Sequence, residues 1–74
     1  MRGELQRRLT RLSARERALL EQLRVGRSIQ DVVQDDRADV AAVRGQLADI
    51  QRKLEVASGL AAVAVLVRAT EPPA

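Results

Sequence analysis

The side chains in this sequence that could do chemistry are guanidiniums. Twelve of the thirteen cationic residues are arginine, histidine and cysteine are absent, and the formal net charge is +3. Without a thiol or an imidazole there is no disulfide framework, no zinc finger and no thiolate or imidazole catalysis. No acidic pair is combined with a nucleophile, and neither a glycine-rich phosphate loop nor a metal-ligand spacing occurs. The sequence therefore reads as a non-enzyme that needs no cofactor. What arginines can do without partners of that kind is bind anions, and phosphate suits them best because the planar fork matches its oxygens. Their distribution fits. Residues 1–27 hold eight arginines against three glutamates, whereas residues 28–51 hold Arg37 and Arg44 against Asp31, Asp35, Asp36, Asp39 and Asp49. A basic N-terminal third is the electrostatic footprint of a phosphate binder. The alternative is that the same arginines solvate exposed helix faces.

Positioning these groups falls to short helices. Leu5, Leu9 and Leu12 recur at helical spacing and predict a helix over residues 3–11. Ser13-Ala14-Arg15-Glu16 reads as a capping box, in which Ser13 accepts from the Glu16 amide and Glu16 reaches back to the Ser13 amide. Leu19, Leu20 and Leu23 form the stripe behind it, and Gly26 stops that helix. Ser28 caps the next, whose face is Ile29, Val32 and Val33 and whose first turn holds Asp31. The polar tract from Gln34 to Ala38 reads as a turn. Asp39 then starts the most regular stripe, Val40, Val43, Leu47, Ile50 and Leu54, one buried face of a helix about four turns long. Ser58 caps a last helix over 59–68 carrying Leu60, Val63, Ala64 and Val67, and Glu71-Pro72-Pro73 ends it.

A chain of 74 residues has room for one domain. With no aromatic residue its core is thin, and association is the remaining common way to bury more apolar surface. The expected fold is all-α, a small bundle of four to five helices containing a helix-turn-helix. A coiled coil is the competing architecture, but the stripe from Val40 to Leu54 lasts only about two heptads and repeated caps favour the bundle. The start has no apolar run of a secretory signal. The stretch Val56 to Val67 falls short of the roughly 20 residues a membrane span requires. A cytoplasmic protein with no membrane partner is expected.

The segment Leu12-Ser13-Ala14-Arg15-Glu16-Arg17-Ala18-Leu19-Leu20 resembles the L-T/S-P-R-E-R-E-V-L opening of LuxR/GerE-type domains. Without a gap, Gly26-Arg27-Ser28-Ile29-Gln30-Asp31-Val32-Val33 is similar to G-x-S-N-K-E-I-A. Val43-Arg44 falls on the V-K of T-V-K-T-H. The run Leu47-Ala48-Asp49-Ile50-Gln51-Arg52-Lys53-Leu54-Glu55-Val56 follows V-S-N-I-L-R-K-L-G-V, and Ala62-Val63-Ala64 matches A-V-A. The resemblance implies a domain over 12–69, with residues 1–11 an N-terminal extension that either docks or extends as an arm, and 70–74 a disordered tail. It also implies a scaffold helix near 29–35, a recognition helix near 39–54 that enters the major groove, and a last helix that pairs two copies.

The function so implied is transcriptional regulation by binding double-stranded DNA as a homodimer. Arg44 would make the one strong groove contact and Gln46 would reach a base edge or a phosphate if it points outward, while Arg52, Lys53, Arg27 and Ser28 would meet phosphates. Arg2, Arg7, Arg8 and Arg11 could add backbone contacts. Leu60, Val63, Ala64 and Val67 would form the dimer interface. The structural alternatives are that Arg52 and Lys53 pair with carboxylates such as Glu16 or Glu55, and that Ser28 is only a cap. Departures from the family pattern weaken the reading head. Asp36 replaces a buried leucine and Arg37 a turn glycine. Ala42, Gly45 and Gln46 replace T, T and H, and Asp35, Asp36 and Asp39 oppose phosphates. A burial cost for an unpaired carboxylate predicts that the turn is remodelled to keep Asp36 in water. The alternative function is a helix-turn-helix that has lost specific DNA reading and binds a protein partner as a co-regulator.

Overall fold

In the computed structural model, residues 2–70 are described and form five helices with no strand among them. They are α1 (Arg2–Leu9), α2 (Ala14–Arg24), α3 (Ile29–Asp36), α4 (Val40–Leu54) and α5 (Gly59–Thr70). The expected all-α class is correct, and the starts of α2 to α5 each lie where a short polar side chain replaces a missing helical partner. The Ser13–Glu16 box is complete, with bonds of 2.8 and 3.0 Å. Ser28 and Asp31 make a second box, at 2.9 and 3.1 Å. Asp39 accepts from the Ala41 amide at 3.0 Å, and Ser58 from the Ala61 amide at 3.1 Å.

Three boundaries differ from expectation. The first helix closes at Leu9 rather than residue 11, where Arg11 and Leu12 switch to shorter-range bonds to Arg8 and Leu9. The third continues through Gln34 and Asp35 to Asp36, because Arg37 adopts the left-handed conformation (φ 52°) and closes the helix one turn later than the polar tract suggested. Thr70, expected in a disordered tail, is the last residue of α5 and bonds back to the Leu66 carbonyl at 2.8 Å; residues 71–74 lie outside the described residues.

Helix α5 is the centre of the bundle, packed against α1, α2 and α4, while α3 rests mainly on α4. Leu20, Ile50, Leu54 and Leu66 are fully buried where these helices meet, each contributing roughly 1.5–3 kcal/mol of transfer free energy. Leu9 is also buried, at 2 % exposure, so α1 docks on the bundle rather than extending from it. Gly59 permits the tight start of α5: a Cβ there would lie 3.2 Å from Leu47 Cδ2. No helix among the described residues is long and apolar enough to cross a membrane.

Candidate nucleic-acid interface

Helix α4 is set up to present one face outward. Val43, Ile50 and Leu54 turn inward, and the helical period leaves Ala41, Arg44, Gly45, Ala48 and Arg52 exposed on the other side. The helix is a rod separate from α3, since Arg37, Ala38 and Asp39 intervene and Asp39 restarts the helical bonding. Arg44 makes no ion pair among the described residues. Its neighbours at Ala41, Gly45 and Ala48 are small, and a Cβ added at Gly45 would meet open space.

Gln46 is half-buried and stands on the rim of an open cleft between α2, the end of α3 and α4. The floor of that cleft is Leu19, Val32 and Val43, and Arg15, Asp35 and Asp36 share the rim with Gln46. Asp36 is exposed, as the cost of burying an unpaired carboxylate requires.

The remaining predicted phosphate contacts are engaged within the chain. Lys53 Nζ donates to Glu16 Oε1 at 2.8 Å, tying the end of α4 to the start of α2. The Glu16 carboxylate is only 9 % exposed and is held below the ordinary carboxylate range, first by that bond to Lys53 and then by the Ser13 amide. Arg52 pairs with Asp49 one turn earlier, and Arg27 pairs with Asp35 across α3. Ser28 is occupied as a cap, and its amide, followed by its hydroxyl, is what lowers the pKa of Asp31.

A further cationic group lies at the same, C-terminal end of α4. Arg11 donates to the Lys53 carbonyl at 3.1 Å and to Glu55 Oε2 at 2.8 Å. Arg8 donates to the Leu54 carbonyl at 3.4 Å and to Glu4 at 2.9 Å. Two arginines of the expected arm thus cap the C-terminus of α4, where the helix dipole favours positive charge. Arg15 and Arg37, which the sequence reading did not assign to the interface, are exposed and without an ion pair among the described residues. The exposed side of the capping-box helix was the available signal for Arg15. Nothing local marks Arg37.

Of the expected dimer residues, Leu60 is 82 % and Val67 37 % exposed, Ala64 is exposed, and Val63 is half-buried against the core. Leu60, Ala64 and Val67 share one outer face of α5 by spacing. Comparison of the chain with protein-family models, with characterised proteins and with solved structures gives no match.

Proposed function

We propose that this chain binds double-stranded DNA as a transcriptional regulator of the LuxR/GerE helix-turn-helix type, working in the cytoplasm as a homodimer through the outer face of α5. The observation that carries this reading is the exposed Arg44, free of any carboxylate among the described residues and flanked by small side chains on a separate, well-capped helix. Small neighbours let a helix backbone approach a groove floor, and an arginine placed there can bind guanine in bidentate fashion. Gln46, half-buried on the cleft beside α2 and two residues round the helix from Arg44, adds no base contact. Arg27 and Arg52 meet phosphates by exchanging exposed ion pairs, which hold only about 0–1 kcal/mol each. Lys53 contributes less, because its partner Glu16 is buried and also serves α2. The test is selection of bound fragments from a random DNA pool. A shared motif should emerge, and Arg44→Ala should erase discrimination among sequences more than it flattens the salt dependence. Recovery of no motif, with binding that ignores salt, rejects the reading.

A second reading has its own support: a helix-turn-helix that binds a protein partner in place of specific DNA. Arg27, Arg52 and Lys53 are neutralised internally, while Leu60 leaves most of a large apolar side chain in water. Stable association with another protein, disrupted by Leu60→Lys and indifferent to Arg44→Ala, selects this reading.

A further inference from the structure

Glu55 occupies a conformation that a glutamate enters at a cost. It closes α4 with φ 59°, in the left-handed region, where a side chain with a Cβ is disfavoured by about 1–2 kcal/mol. Such a residue persists where its surroundings hold it. Here the surroundings are two guanidiniums three residues apart, Arg8 on α1 and Arg11 in the turn that follows it. Arg11 Nη1 lies 2.8 Å from Glu55 Oε2, and Arg8 Nε lies 3.9 Å from the same oxygen. Arg8 Nε is buried and has no hydrogen-bond partner, since 3.9 Å is too long for one. Both guanidiniums are also held on their Nη1 side by carbonyls of α4, Leu54 for Arg8 and Lys53 for Arg11. The result is a pre-positioned fork with one buried donor unmet, facing a carboxylate on a strained residue that is itself 57 % exposed, while Glu4 holds the Nη2 side of Arg8 at 2.9 Å.

We propose that Arg8 and Arg11 form a phosphate-binding fork and that Glu55 is its internal plug, displaced when a nucleic-acid phosphodiester takes its place. A phosphate group presents more acceptor oxygens than the carboxylate edge now used, so it can meet Arg8 Nε and Arg11 Nη1 together. The carbonyl anchors need not break, and α1 stays docked through Leu9 while the occupant changes. An exposed ion pair is weak enough to be exchanged in this way, and release of counterions from the nucleic acid favours the exchange. The identity of the occupant rests on the DNA-binding reading; the fork itself does not.

The test compares Glu55→Gln with Glu21→Gln, which removes an equal charge from a comparably exposed pair with Arg24 on α2. Binding to a mixed-sequence duplex of about 20 base pairs should tighten about three- to tenfold in Glu55→Gln beyond any change in Glu21→Gln. The logarithmic salt slope should steepen by about one, as expected for one added phosphate contact, and Arg11→Ala in the Glu55→Gln background should reverse both. In parallel, the Arg8 and Arg11 Nε–H resonances of Glu55→Gln are followed during titration with inorganic phosphate. Their selective, saturable shift supports the fork even where no duplex binds, in which case the DNA-binding reading alone fails. Tight duplex binding that treats Glu55→Gln and Glu21→Gln alike, with those resonances unmoved by phosphate, overturns the fork and leaves the DNA-binding reading standing. Unmoved resonances and no duplex binding reject both.

Discussion

Glu16 shows how much one side chain does in a domain this small. Its carboxylate receives the Ser13 amide and the Lys53 ammonium, so it starts α2 and fastens the end of α4 at once. Glu16→Gln retains the shape and loses the charge, and thermal or denaturant unfolding should register a loss of about 1–2 kcal/mol at neutral pH. The pH dependence has a definite sign. Because folding lowers the pKa of Glu16, its contribution is complete above the unfolded value and disappears as pH falls through the lower, folded one. The wild-type stability curve should drop on the acid side, and Glu16→Gln should flatten that limb without altering the alkaline one.

The two left-handed non-glycine residues invite a second comparison at this scale. Arg37 and Glu55 both close helices with positive φ, yet only Glu55 is fastened by ion pairs among the described residues. Arg37→Gly should therefore raise stability by about 1 kcal/mol, measurable as a higher denaturation midpoint. At Glu55 the same change relieves strain and removes the clasp with Arg8 and Arg11, so the gain should be smaller.

At the scale of elements, the starts were more legible than the ends. Ser13, Ser28, Asp39 and Ser58 are local signals, each needing only an amide two or three residues away, and all four cap in the structure. The polar tract put the end of α3 a turn early, because a left-handed arginine carries no local mark of the kind glycine supplies, whereas the resemblance, with its scaffold helix near 29–35, came within one residue. The Lys53–Glu16 pair was among the alternatives open to the sequence. The clasp of Arg8 and Arg11 on α4 was not, since the partners are 42 to 46 residues apart and no periodicity relates them. The same holds for the internal neutralisation of Arg27 by Asp35, which depends on how the turn before α3 folds back. Helix α4 offers a prediction of its own. Gly45 lies mid-helix with open space where a Cβ would sit, so Gly45→Ala should stabilise the fold by about 0.5–1 kcal/mol. In the DNA-binding reading the same methyl group stands on the face that meets the groove, so a gain in melting temperature coupled to weaker duplex binding separates the two roles of that position.

For the molecule as a whole, the balance between core and surface is set by α5. Its inner side supplies Ala62, Val65, Leu66 and Ala69 to the core, and its outer side leaves Leu60 and Val67 in water. Leu60→Lys should leave the unfolding midpoint of a dilute sample nearly unchanged. It should also shift the light-scattering mass toward that of a single chain at high concentration. A wild-type mass equal to one chain across the whole concentration range would remove the dimer from the proposed function.

Gln6 reaches across to the Ala69 carbonyl at 3.3 Å, so the opening and closing helices lie side by side at a separation of 63 residues. A chain so arranged is close to a ring. A short linker from the Thr70 end of α5 back to the start of α1, with a new opening at the exposed Val25–Gly26 corner, would leave the order of packed layers intact. The same proximity means that tension applied across α1 and α5 loads the seam between them first, so mechanical rupture begins at the Gln6–Ala69 contact.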